Sequence, residues 1–344
     1  DSITLLLRVR DGPTSIAPFP DDPELPSLAA MLDPRHALRV LMRDAPELSM
    51  QLSRRAGLRC DATVVHHPRT GACVVRYDIS GSEGALRRVY AKIYPSAAQA
   101  RSSALAHGAV GGRLLRGQTS VRLPRLLGLD LDSRTVFIES LGPSEPALGA
   151  VSAVEAACVL RTLHETPVPP GLPETAAEDV VQRVRSELTL VRTRWPGLAD
   201  HVEAHAGAAA ERLKDSAEGI AVLSHGDFTP AQLLRVTSGV VGLIDLDTLC
   251  RAEAAIDVGR FLAYSRLRQA RGGPAEPTTA VGSAHRAEVL DAYGPVGDGA
   301  VDRIQAHERL QLALLALRAA RRFKDERVRL ALALLDDTPS RRPT

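Results

Sequence analysis

Residues 222–264 read VLSHGDFTPAQLLRVTSGVVGLIDLDTLCRAEAAIDVGRFLAY, and the rest of the chain is organised around this stretch. A short apolar run, Ile220 to Leu223, delivers His225-Gly226-Asp227 into a loop that contains Pro230. Two β-branched runs follow at 233–236 and 240–244, separated by Thr237-Ser238-Gly239. Small, turn-forming residues between such runs predict a hairpin. The second run ends in Asp245-Leu246-Asp247, so Asp227 and Asp245 are expected at opposite ends of one hairpin. That arrangement brings two carboxylates and a histidine together. Acid-rich strand ends usually mark turns, but His-Gly-Asp with a second Asp after a strand is a sharper signal. A functional site is expected here.

These residues resemble the aminoglycoside phosphotransferase and choline kinase group, small-molecule relatives of the protein kinases. The group's motif is His-Gly-Asp, four residues and Asn, then a strand ending in Ile-Asp and a later Asp-(Val/Leu)-(Gly/Ala). The matches are His225-Gly226-Asp227, Ile244-Asp245 and Asp257-Val258-Gly259, while the Asn position holds Gln232. Weaker clues extend the resemblance over residues 56–330, approximately. It implies an α+β, two-lobed protein-kinase-like (aminoglycoside phosphotransferase-like) fold. Residues 56–140 would be a small antiparallel-sheet N-lobe with one helix, and 141–344 a mostly helical C-lobe. Residues 1–55 would be an extension packed on the small lobe.

A chain of 344 residues can bury a large core, in one two-lobed body or two domains. Its net charge of +2 and the lack of a concentrated basic stripe argue against a nucleic-acid partner. Lys occurs only at 92, 214 and 324, and every other cation is Arg. The basic run Arg318, Arg321, Arg322, Lys324 and Arg327 reads as a solvated helix face. Cys60, Cys73, Cys158 and Cys250 form no CxxC pair, so a reduced cytoplasmic setting without zinc is expected. No run of about 18 apolar residues or signal-peptide pattern occurs, so no membrane is expected. The chain starts at Asp1, and a natural start upstream of it is expected. The oligomeric state stays open.

Asp33-Pro34 predicts a helix start, with Ala37, Leu38, Leu41 and Met42 as its apolar stripe. Strands are expected at 62–65, 72–79 and 86–93, with Lys92 on the third. A helix at 97–115 is weakened by Gly108, Gly111 and Gly112. Two more strands lead to Glu139-Ser140-Leu141-Gly142, the hinge by resemblance. Helices follow at 151–164 and around Trp195-Pro196-Gly197 within 176–215, the latter expected to shape the acceptor pocket. Further helices are expected at 283–293, 301–322 and 325–335. Leu310, Leu312, Leu314, Leu315 and Leu317 read as core.

The resemblance implies roles. Asp227 would be the base that accepts the acceptor hydroxyl's proton, and Asp245 with Gln232 would hold Mg²⁺. Lys92 would hold the nucleotide's phosphates, and backbone at Glu139 and Leu141 would bind adenine. Phosphoryl transfer needs these parts together. Three are degraded. No Glu lies between Ile93 and Ile138 to pair with Lys92, and Gln99, being neutral, is a poor substitute. Gln232 adds a methylene at a metal that demands strict octahedral geometry. The first hairpin turn, His66-His67-Pro68-Arg69-Thr70-Gly71, offers few N–H groups to phosphates.

His225 and Asp227 survive, and imidazole titrates near neutral pH. The preferred expectation is therefore a kinase-fold enzyme with no cofactor, turned to acid/base chemistry on a small organic substrate in specialised metabolism. Dehydration, intramolecular addition or cyclisation would suit, with His225 and Asp227 catalytic. The alternative is an ATP- and Mg²⁺-dependent phosphotransferase acting on a hydroxyl of a small molecule or modified peptide. A non-catalytic pseudokinase scaffold is third. Asp257 is expected as a buried strut in a loop, and His164 as structural.

Overall fold

The computed structural model describes residues 5–8, 15–68, 71–82, 84, 87–111, 120–142, 150–217, 219–272, 279–297 and 299–337. The chain divides into two units, Asp1–Leu115 with Leu123–Ser144, and Arg116–Arg122 with Glu145–Thr344.

In the first unit, β1 (Leu5–Arg8) and β2 (Ser15–Pro18) pair antiparallel. Then come α1 (Leu28–Leu32), α2 (Pro34–Asp44) and α3 (Pro46–Leu52). The Asp33 carboxylate caps α2 by accepting from the Arg35 N–H at 2.9 Å. Pro34 takes the first helical position, where its missing N–H costs nothing. Next are β3 (Arg59–His66), β4 (Cys73–Ser80), β5 (Arg87–Ile93) and α4 (Ala97–Gly111). After β6 (Val121–Arg122), which belongs to the second unit, come β7 (Leu126–Asp130) and β8 (Thr135–Glu139).

The sheet runs β3-β4-β5-β8-β7, antiparallel throughout. Along β4, Cys73, Val75, Tyr77 and Ile79 are buried and the residues between them half-buried, the period-two signature of a strand. That buried face packs on Leu28, Met31, Leu41 and Leu48 of α1–α3, and the Tyr77 hydroxyl donates to the Met31 carbonyl at 2.6 Å. The N-terminal helices thus cover one face of the sheet. A Cβ on Gly128 would lie 2.1 Å from the Asp44 carbonyl oxygen, so only glycine lets β7 approach the end of α2 this closely. The other face packs Val136 and Ile138 against Ala100 and Ala104 of α4. The 97–115 helix ends at Gly111, and 112–119 lie outside the described residues.

The second unit is mostly helical: α5 (Ala153–Glu165), α6 (Ala177–Arg192), α7 (Pro196–Asp215), α8 (Ala254–Gly272), α9 (Thr279–Tyr293), α10 (Ala300–Ala320) and α11 (Asp325–Asp337). Between them, β9 (Glu174–Thr175), β10 (Ala221–Ser224) and β13 (Cys250–Glu253) form one small sheet. The hairpin β11 (Leu233–Thr237) and β12 (Val240–Leu243) pairs with β6 in another. Helix α10 packs against α6, α7, α8 and α11. Its five leucines are at most 3% exposed, so a helix surrounded on all sides carries apolar residues on all sides.

Charges inside this unit come as pairs. Glu253 meets Arg303 and, at 2.7 Å, His307; Glu308 meets Arg266 and Arg286. Burial works to raise the Glu253 pKa, yet bonds from His307 and Arg303 hold it at about 2. Helix α8 is absent from the sequence expectation, which placed Asp257 in a loop; Asp257 lies in its first turn. Gly259 weakens a helix on propensity but is required by packing, since a Cβ there would sit 2.7 Å from the Glu308 nitrogen of α10. No helix among the described residues is long and apolar enough to cross a membrane.

Candidate active site

The hairpin β11–β12 builds the site from its open end. Its ladder continues one step past the strands, with the Ile244 N–H donating to the Gln232 carbonyl at 2.9 Å. That bond fixes Gln232, at the end of a 3-10 turn (Pro230–Gln232), beside Asp245. Asp227 and Asp245 therefore lie at the same, open end of the hairpin, a correction to the expectation of opposite ends. The Gln232 amide nitrogen lies 3.2 Å from Asp227 Oδ2 and 3.4 Å from Asp245 Oδ2. All three side chains are partly exposed. Asp245 takes the left-handed conformation (φ 65°, ψ 55°), which Asp tolerates better than most residues.

The residues around this trio are buried struts. The Asp257 carboxylate is fully buried and accepts four bonds: Ser224 Oγ at 2.8 Å, His225 N–H at 2.6 Å, Gly226 N–H at 2.9 Å and His164 Nε2 at 3.3 Å. Burial pushes its pKa up, but the bonds from His164 and Ser224 prevail and hold it below the ordinary carboxylate value. His164 is oriented in turn by the Tyr293 hydroxyl at 2.7 Å. Gly226 has φ 74°, and a Cβ there would lie 2.4 Å from the Thr248 carbonyl oxygen. The middle residue of His-Gly-Asp is therefore glycine for a steric reason.

His225 stands between β10 and the 3-10 turn. It was expected to shuttle protons, but it is 0% exposed and both ring nitrogens are committed. Nε2 donates to the Ile244 carbonyl at 3.0 Å and Nδ1 accepts from the Asp227 N–H at 3.3 Å. Those partners assign a neutral ring with its proton on Nε2. The imidazole ties the Asp227 loop to the end of β12, and no ring nitrogen is left for a substrate.

Arg260 is the residue the sequence reading missed. Its buried guanidinium bonds Asp227 Oδ1 and lies 5.5 Å from the Tyr264 ring centroid. A signal existed: Arg260 stands three residues after Asp257, so on a helix it shares that residue's face and meets the same loop.

His225, Asp227, Gln232 and Asp245 are thus brought together in the second unit, whereas Lys92, Glu139 and Leu141 belong to the first. Lys92 is buried on β5, in register with Val74 and Val136, on the sheet face that α4 covers. Helix α4 carries no Asp or Glu. Glu139 ends β8, its N–H donating to the Arg125 carbonyl at 2.9 Å and its carboxylate pairing with Arg125 at 3.1 Å; Leu141 is buried. In the β3–β4 turn, residues 69–70 lie outside those described. Its His67 is held by Asp22 at 3.0 Å and edge-on by Phe19.

A model of the phosphotransferase enzyme family matches residues 76–295, well over half of the chain. The chain belongs to this family. Solved structures similar to this phosphotransferase-family chain include a choline/ethanolamine kinase family protein from Mesorhizobium loti, at 15% identity and a TM-score of 0.56, covering 88% of this chain and 95% of that one. APH(2″)-IIIa in complex with GDP and kanamycin is similar at 15% identity and 0.52, covering 88% and 98%. A Plasmodium vivax ethanolamine kinase is similar at 10% and 0.51, covering 81% and 82%. At such identities the likeness establishes the two-lobed α+β fold. No curated protein matches the chain significantly.

The donor set of this family member suits Mg²⁺. The Asp245 carboxylate and the Gln232 amide offer oxygen donors of the kind that ion takes. Gln232, with its extra methylene, brings its amide nitrogen to within 3.4 Å of both carboxylates. The amide turns its nitrogen to the acids here, and the same group turned over offers its oxygen to a cation.

Proposed function

We propose that this protein transfers a phosphoryl group from Mg·ATP to a hydroxyl of a small molecule or modified peptide. The observation that carries this reading is the convergence of Asp227, Asp245 and Gln232 at a partly exposed hairpin end, with His225 and Asp257 buried behind them. The cofactor-free reading depended on His225, whose ring has no free nitrogen to offer. When bound, Mg·ATP supplies the phosphoryl group, and the protein's task is positioning and charge neutralisation.

In this reading Asp227 accepts the acceptor hydroxyl's proton. Arg260 occupies its Oδ1, which fixes the rotation of the carboxylate and presents Oδ2. Gln232 and Asp245 hold the metal. Lys92 is the candidate for the nucleotide's phosphates, and backbone groups of Glu139 and Leu141 are the candidates for adenine.

A polycationic acceptor suits the second unit poorly. Glu174, Glu178, Asp179 and Glu187 do not form a shared acidic wall: Glu174 pairs with Arg251 and Glu178 with Arg185, at 2.7 and 2.8 Å. Asp179 caps α6 through the Ala176 N–H at 2.7 Å, and Glu187 meets Arg318 and Arg321. A neutral hydroxyl compound fits better. The test incubates the purified chain with ATP and a panel of amino alcohols, sugars and Ser/Thr-containing peptides, with mass spectrometry of the products. A phosphate ester that forms only when Mg²⁺ and ATP are both present is expected. Conversion of an acceptor without ATP would overturn the reading in favour of cofactor-free acid/base chemistry.

A further inference from the structure

His201 and His205 stand one turn apart on α7, the spacing that places two side chains on one helix face. Their ring centroids are 4.9 Å apart. Asp336, in the last turn of α11, brings Oδ1 to 2.9 Å from His201 Nε2 and 3.0 Å from His205 Nε2. One ligand atom from each of the three lies within 4.8 Å of the others. His201 and Asp336 also face a cavity of about 650 Å³ walled by Trp195, Leu198 and Leu332. Two imidazoles and a carboxylate, with open space beside them for water, form the three-ligand, open-position pattern of borderline metal ions.

We propose that His201, His205 and Asp336 bind a divalent transition-metal ion, Zn²⁺ foremost, and so tie α11 to α7. The site is independent of the phosphoryl-transfer reading. The zinc-free expectation rested on the scattered cysteines, and these ligands are of another kind. The second shell sets the affinity. Arg309 Nη2 donates to His205 Nδ1 at 2.7 Å, so in the ion's absence His205 carries its proton on Nε2 and donates it to Asp336. Ion entry at Nε2 moves that proton to Nδ1 and turns Arg309 away. Metal-bound histidines ordinarily donate from their second nitrogen to an acceptor, so Arg309 weakens the site without removing it.

The test titrates the full chain with Co²⁺, read by visible absorption, and then displaces it with Zn²⁺; thermal melts are recorded in parallel. His201 and Asp336 side chains are 43% and 53% exposed, so His201→Ala and Asp336→Asn leave the core untouched. The wild type is expected to bind one equivalent of Co²⁺, lose it to Zn²⁺ and melt higher with the ion. Both variants are expected to bind about tenfold or more weakly. Absence of saturable binding up to millimolar Co²⁺ would overturn the proposal. So would binding that survives His201→Ala, because the ion would then sit elsewhere.

Discussion

Asp227→Asn is expected to lower kcat by roughly 10²–10⁴-fold, the usual contribution of a positioned general base, with the fold intact. The side chain is partly exposed and isosteric with Asn, so no cavity opens. What is lost is the proton acceptor at Oδ2 and the charge facing Arg260 at Oδ1. Because the residues proposed for the nucleotide are others, ATP affinity should change far less than turnover. Steady-state rates of phosphate-ester formation, with nucleotide affinity measured separately, check both halves. A variant that keeps most of its kcat would remove Asp227 from the chemistry. Arg260 sharpens the interpretation: it is a positioning residue, so its loss should misplace the carboxylate and leave the proton acceptor itself in being.

Asp257→Ala is expected to destabilise the second unit by about 3–5 kcal/mol, the range for breaking a fully buried charged network. The Ser224 hydroxyl, two N–H groups of the His-Gly-Asp loop and the His164 ring would lose their shared acceptor at once. Unfolding in urea, followed by circular dichroism, measures the loss. Wild-type stability in this variant would show that the loop is held by something other than Asp257. The same carboxylate predicts an acid limit. Its folded pKa is depressed, so its stabilisation is complete above the ordinary Asp value of about 3.9. That contribution is lost as pH falls through the lower folded value. Glu253 acts in the same sense, with its loss extending down to about pH 2. The midpoint of urea unfolding should therefore hold steady above about pH 5 and fall steeply below 4.

The legible part of the fold was the part with period. The strand expected at 72–79 and the capping pair at Asp33-Pro34 announced β4 and α2, and the leucines of α10 announced the core. Pairing between distant short segments carries no such signal: β6 is two residues long, and nothing in Val121-Arg122 foretells its parallel register with β12. Helix α8 was hidden because Gly259, unfavourable for a helix, answers to the nearness of α10 instead.

At the candidate site, the convergence of Asp227, Gln232 and Asp245 could be anticipated from motif spacing, but the orientation of a ring could not. His225 stands two residues before Asp227 in sequence, yet which way its imidazole turns depends on the Ile244 carbonyl across the hairpin. A tertiary partner sets the ring's orientation. Arg260 escaped for the same reason, since its meaning lies in the loop that Asp257 brings beneath it.

Calorimetric titration of ATP into the wild type and Asp245→Asn, each with and without Mg²⁺, tests most directly whether this hairpin end serves a metal-bound triphosphate. The account predicts binding by the wild type that weakens at least about tenfold, roughly 1.4 kcal/mol, when Mg²⁺ is withdrawn. It predicts a comparable loss in the variant with Mg²⁺ present. Failure to bind ATP at millimolar concentration, or an affinity indifferent to both Mg²⁺ and Asp245, would contradict it.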